Sequence, residues 1–143
     1  MGSQVPSVRI VPESEYTDGN DAAKILKAGR LTVDPWQGNV LHDWMGRTQH
    51  DAWSAPTCGI SVPRQNGKTL ITSGRIASGM IMFSEWAIYT AHLQKTATET
   101  FMELKGLFES RGLVKYVKEI KCALGREQII LKNGGRVQFV ART

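Results

Sequence analysis

Thr57-Cys58-Gly59-Ile60-Ser61-Val62, followed by Pro63-Arg64-Gln65-Asn66-Gly67-Lys68 and then Thr69 to Met82, is the stretch that decides how this chain is read. The first six residues have the composition of a short strand, and Pro63, which has no N–H for a sheet ladder, stops it. Residues 63–68 are turn-forming, and Thr69 to Met82 carries apolar residues at helical spacing. A loop that runs from a strand into a helix is a natural anion site. The first N–H groups of the helix lack partners within it, and the helix dipole is positive there. Gly67 lets the backbone approach a phosphate with no Cβ in the way. Lys68 has the reach for β- and γ-phosphates, and the Thr69 hydroxyl suits Mg²⁺. Val62 stands where the pattern G-x-x-x-x-G-K-S/T has its first glycine. The plainer alternative is a glycine-containing turn with one surface lysine.

Upstream, Met1 to Asn20 is rich in Ser, Pro and Glu and reads as an arm, and Asp21 to Lys27 as a short helix ended by Gly29. The organisation expected is an arm and short helix over residues 1–30 and one larger unit over 31–143. Asp34-Pro35 opens a second helix, with Asp as cap and Pro in the first turn. Trp36, Val40, Leu41 and Trp44 fall on one face of it, and His50 to Pro56 follows as a loop. Downstream, Trp86 to Ala91 reads as a strand and His92 to Ser110 as a long helix with Leu93, Ala97, Phe101, Leu104 and Phe108 in one stripe. Gln128 to Leu131 and Val137 to Val140 read as strands joined by an Asn133-Gly134-Gly135 turn. This order predicts an α/β fold, a central sheet covered by helices.

Two further positions invite chemistry. Arg64 lies inside the loop, where a guanidinium can stabilise charge on a transferring phosphoryl group; alternatively it pairs with a nearby carboxylate. The Gln37 amide can accept from and donate to an adenine edge at once, beside Trp36 as a wall or stacking surface. The alternative there is a core tryptophan and an exposed first-turn glutamine.

Composition sets outer bounds. The 143 residues are 41% hydrophobic and 22% charged, ordinary for one globular domain. Basic residues outnumber acidic ones by 18 to 13, and the excess lies in Arg111 to Thr143, with eight basic residues against two acidic ones. Such a segment can meet nucleic-acid phosphates or an acidic partner. Cys58 and Cys122 lack disulfide or zinc spacing, and Cys58, in an apolar run, is expected to be buried. His42, His50 and His92 form no metal-ligand pattern. No apolar run reaches the length of a membrane span, and Met1 to Val11 lacks the features of a signal peptide.

Pro35-Trp36-Gln37, Val62 through Thr69, Tyr89-Thr90-Ala91 and the Leu131 to Val140 hairpin together resemble the ATPase domain of the tailed-bacteriophage terminase large subunit, the motor that drives viral DNA into a preformed capsid. The resemblance runs from about Leu31 to the end and accounts for Val62 in place of glycine. It implies a P-loop NTPase of the ASCE, RecA-like kind that binds ATP and Mg²⁺. Trp36, Gln37, Pro63, Arg64, Gln65, Asn66, Gly67, Lys68 and Thr69 would form the nucleotide site. Gln37 would read adenine, Lys68 hold phosphate, Thr69 ligate Mg²⁺ and Arg64 assist hydrolysis. Thr90 and Ala91 would face or couple to nucleic acid. Implied partners are double-stranded viral DNA, the portal protein and the terminase small subunit. The implied place is the host cytoplasm, docked transiently on the procapsid and absent from the mature virion.

The sequence departs from that family in one respect. The Walker B strand ending in Asp-Glu and the acidic nuclease domain are both missing, and the acid at Glu85, after Ile81 to Ser84, comes too early to replace the former. The chain therefore reads as the N-terminal portion of an ATPase domain, truncated before Walker B. ATP hydrolysis by it alone is open, and self-association or a partner fragment is expected. Another helicase-like P-loop ATPase, or a non-catalytic piece that binds nucleotide, DNA or a partner, remains an alternative.

Overall fold

The computed structural model describes residues 2–142, and the fold is α/β. Strand β1 (Tyr16–Thr17) leads into helix α1 (Gly19–Ala28), helix α2 (Pro35–Trp44) and strand β2 (Gly46–Arg47), which pairs antiparallel with β1. After a long irregular stretch come helix α3 (Lys68–Phe83), strand β3 (Trp86–Ala91) and helix α4 (Gln94–Glu109). A 3-10 turn (Val114–Tyr116) and strands β4 (Val117–Lys121), β5 (Gln128–Leu131) and β6 (Arg136–Ala141) follow. The larger sheet has the order β3-β6-β5-β4, with β3 parallel to β6 and the other pairs antiparallel.

Local sequence explains most of these elements. Pro35 sits in the first turn of α2, and the Gln37 side chain reaches back to accept the Asp34 N–H at 2.7 Å, one arm of a capping box. Helix α4 buries Ala97, Phe101, Leu104 and Phe108, four of the five residues of the expected stripe; Leu93 lies just before the helix and is exposed. In β5 and β6 burial alternates, so Ile129, Leu131, Val137 and Phe139 face the helices. Phe139 packs against Phe101 and Tyr89 with ring centroids 5.4 and 5.7 Å apart.

Two expectations are corrected, and one strand is new. Thr57 to Val62 forms no strand; it runs mostly exposed beside the fold, and only Ile60 of the stretch packs on the core. Gly59 and Ser61 give it little to bury, Pro56 and Pro63 flank it, and β3 pairs with β6 alone. Cys58 is consequently exposed. Strand β4 was not expected from the sequence, because Val117-Lys118-Glu119-Ile120-Lys121 holds only two apolar residues and a register shift breaks the alternation.

The β5–β6 turn does more than reverse the chain. The Asn133 side-chain amide donates to Met80 O at 2.9 Å and Ile81 O at 3.1 Å, capping the last turn of α3, and its oxygen accepts the Gly135 N–H at 2.9 Å. A Cβ on Gly135 would stand 2.5 Å from Met80 O, so glycine is required for that approach. Asn133→Ala is expected to lower stability by about 1–3 kcal/mol, since helix-end carbonyls lose their donor. A urea midpoint identical to that of the unaltered chain would show that this cap contributes nothing.

Candidate functional site: the 62–69 loop

Two residues in left-handed conformation shape the loop, Gln65 at φ 59° and Gly67 at φ 79°. Gly67 is the N-cap of α3, so the chain turns sharply and presents the first N–H groups of a 16-residue helix to the loop. Lys68 folds back over this turn, its ammonium donating to Val62 O at 3.4 Å and Pro63 O at 3.3 Å. Pro63, Arg64, Gln65, Asn66 and Gly67 are exposed, and Lys68 and Thr69 are half-buried. Arg64 takes part in no ion pair among the described residues, so the carboxylate partner considered from sequence is not made.

Gln37 is neither an exposed first-turn residue nor a free base reader. It is buried, 4% exposed, with its oxygen on the Asp34 N–H and its amide donating to Gly67 O at 3.2 Å. A Cβ at position 67 would lie 2.4 Å from that amide nitrogen. Glycine at 67 is favoured by its backbone angle, and a Cβ there would push the Gln37 amide aside. The sequence spacing of Gln37 and Gly67 gave no sign of this bridge. Trp36 is half-buried against the core, and its backbone N–H donates to the Gln4 side-chain oxygen at 3.3 Å, so the arm crosses the start of α2. Further along, Arg9 grips Asp43 with two 2.7 Å hydrogen bonds and holds that carboxyl below the usual carboxylate range.

The first acid after the loop is engaged elsewhere. Glu85 accepts two bonds from Arg75, at 2.7 and 3.2 Å, and one from the Trp53 indole at 3.2 Å. Arg47 and Arg75 each stack on Trp53, at 4.3 and 4.4 Å from a ring centroid. Sequence reading missed this cluster because its members are spread from Arg47 to Glu85. Partial desolvation outweighs the nearby charge of Arg75 and raises the Cys58 thiol pKa. Thr90 is exposed on β3 and Ala91 is buried at its end, and nothing links either to the loop.

Among the described residues no group of three or more His, Cys, Asp or Glu side chains is placed to hold a metal. A cavity of about 340 Å³ beside Arg9, Asn39, His42 and Asp43, and one of about 630 Å³ along Gln94, Thr98, Met102 and Leu124, lie away from the loop. The loop offers the N–H donors of the α3 N-terminus and one ammonium, a donor set suited to an anion. No protein-family description, curated protein or solved structure matches the chain.

Gln37→Ala removes both bridges, leaving the Gly67 carbonyl without this donor. Expected are a stability loss of about 1–3 kcal/mol and faster proteolytic cleavage between residues 63 and 67. An unchanged cleavage rate would show that the loop holds its shape without Gln37.

Proposed function

We propose that this chain is a nucleotide-binding piece of an ATP-driven DNA-packaging motor of the terminase large-subunit kind, with a P-loop ATPase fold in which the 62–69 loop takes the phosphates of ATP. The observation that carries this reading is the sequence Val62 to Thr69 folded as a left-handed turn into the N-terminus of α3, with Lys68 laid across it. Backbone N–H groups and the Lys68 ammonium are the donors for a polyphosphate, and charge-assisted bonds of this type are the strong ones. The Thr69 hydroxyl is the ligand this chain offers to Mg²⁺, which when bound neutralises phosphate charge. Arg64, exposed and free of ion pairs, is positioned in sequence to approach the terminal phosphate. Double-stranded DNA, portal and small subunit belong to the proposal as partners, and the host cytoplasm as its place.

Turnover asks for more than this loop holds. Hydrolysis needs an oriented water and a base, and arginine cannot accept a proton. Glu85 is committed to Arg75 and Trp53. The second reading, binding without catalysis, is favoured by this commitment and by the unpaired Thr57 to Val62 segment, which leaves the strand side of the loop outside the sheet.

Calorimetry with Mg²⁺ and ATP tests the proposal. Lys68→Ala is expected to weaken ATP binding by roughly tenfold or more, the scale of one charged hydrogen bond. Equal affinity for the two proteins would overturn it. Steady-state turnover is expected to be negligible; hydrolysis near one per second that vanishes in Lys68→Ala would show that an acid of this chain or of a second copy completes the site.

A further inference from the structure

Only one face of the larger sheet is covered. Ala87, Tyr89 and Ala91 of β3 turn towards the helices, with Val137, Phe139, Ile129 and Leu131 beside them. The register places two rows on the opposite face. Trp86, Arg136, Ile130 and Glu119 form the first, and Ile88, Gln138, Gln128 and Lys121 the second. Trp86 is 72% exposed and Ile88 70% exposed.

Exposed as it is, the Trp86 ring is held in place. Its indole N–H donates to Gly134 O at 3.1 Å across the β5–β6 turn, and the Arg136 guanidinium lies 3.7 Å from a ring centroid. Two planar groups are thus stacked and fixed before any partner arrives, which lowers the ordering cost of binding. Arginine and tryptophan faces are the surfaces on which nucleobases stack. The neighbouring row supplies two amides and the Lys121 ammonium, and exposed Lys132 and Arg142 flank the sheet in the segment where basic residues outnumber acidic ones by eight to two.

We propose that this open sheet face binds single-stranded nucleic acid, with an unpaired base stacked on the Trp86–Arg136 platform and the backbone phosphates met by Lys121 and its basic neighbours. The proposal is independent of nucleotide binding at the 62–69 loop. A duplex fits this surface poorly, because its bases are already stacked on one another and offer no free face. A protein partner fits less well than a nucleic acid, since interface cores are depleted in lysine and glutamate, whereas Glu119 and Lys121 lie among the apolar residues here.

The test is fluorescence anisotropy of a labelled oligothymidylate, its oligouridylate counterpart and a duplex of equal length, titrated with the full chain at about 50 mM salt. Single strands of either sugar are expected to bind more tightly than the duplex, with an affinity that falls as salt rises. Trp86→Ala is expected to weaken binding about tenfold, the scale of one lost base–aromatic stack, and Trp86→Phe to restore most of it. Lys24→Ala, which removes a positive charge on the exposed side of α1 and away from this face, is expected to change affinity little. If Trp86→Ala unfolds the chain, Arg136→Gln is measured in its place and a severalfold loss is expected. Failure of single strands to bind, a Trp86→Ala loss as large for duplex as for single strands, or equal effects of the Trp86 and Lys24 variants would each overturn the proposal. So would a chain that self-associates through Trp86 and takes up no oligonucleotide.

Discussion

Helix α3 is the element on which the rest of this structure rests. It touches α1, α2, α4, β3 and β6, and it can do so because one side of it is made of small residues. Ser73, Gly74, Ala77, Ser78 and Gly79 are all buried. A Cβ at Gly74 would stand 2.7 Å from Leu26, and one at Gly79 would collide with Glu85. Mid-helix glycine costs about 1 kcal/mol in propensity; here that cost is offset by close packing that larger side chains would prevent. Both ends of α3 are fixed from outside the helix, by Gln37 on Gly67 at the start and by Asn133 on Met80 and Ile81 at the end. The phosphate-type turn is therefore as well placed as α3 itself.

The sheet is built for one-sided burial, and much of the chain's surface chemistry follows from that. Aromatic and aliphatic residues on the inner face pack on α3 and α4, while the outer face keeps Trp86, Ile88, Arg136 and Lys121 at the surface. β3 stands at one end of the strand order, and the segment Thr57 to Val62, with strand-like composition, pairs with neither it nor any other strand. Strand propensity without a partner ladder is weak, because a strand gains its stability from cross-strand contacts and shared hydrogen bonds.

Charged groups divide into those spent on architecture and those left available. Arg47, Arg75 and Glu85 close around Trp53, and Arg9 pins the arm on Asp43. Arg64 and the basic residues of the last third stay open to solvent. This division favours binding of anions over acid–base chemistry. The first carboxylate after the loop, Glu85, is paired with Arg75, while Arg64 within the loop makes no ion pair among the described residues.

From sequence alone the α/β class, helices α1 to α4, strands β3, β5 and β6 and the Asn133 to Gly135 turn were legible, because periodicity, caps and glycine turns are local signals. The loop was legible too, through Gly67-Lys68-Thr69 and its helix. Tertiary structure decided what locality cannot carry. It left Thr57 to Val62 unpaired and Cys58 exposed, and it recruited the charged segment Val117 to Lys121 as a strand because β5 offered it a partner. It turned Gln37 from a free amide into the bridge that holds Gly67. Each of these outcomes depends on which distant backbone or side chain arrives within about 3 Å, the hydrogen-bonding range, and spacing along a chain does not encode that distance.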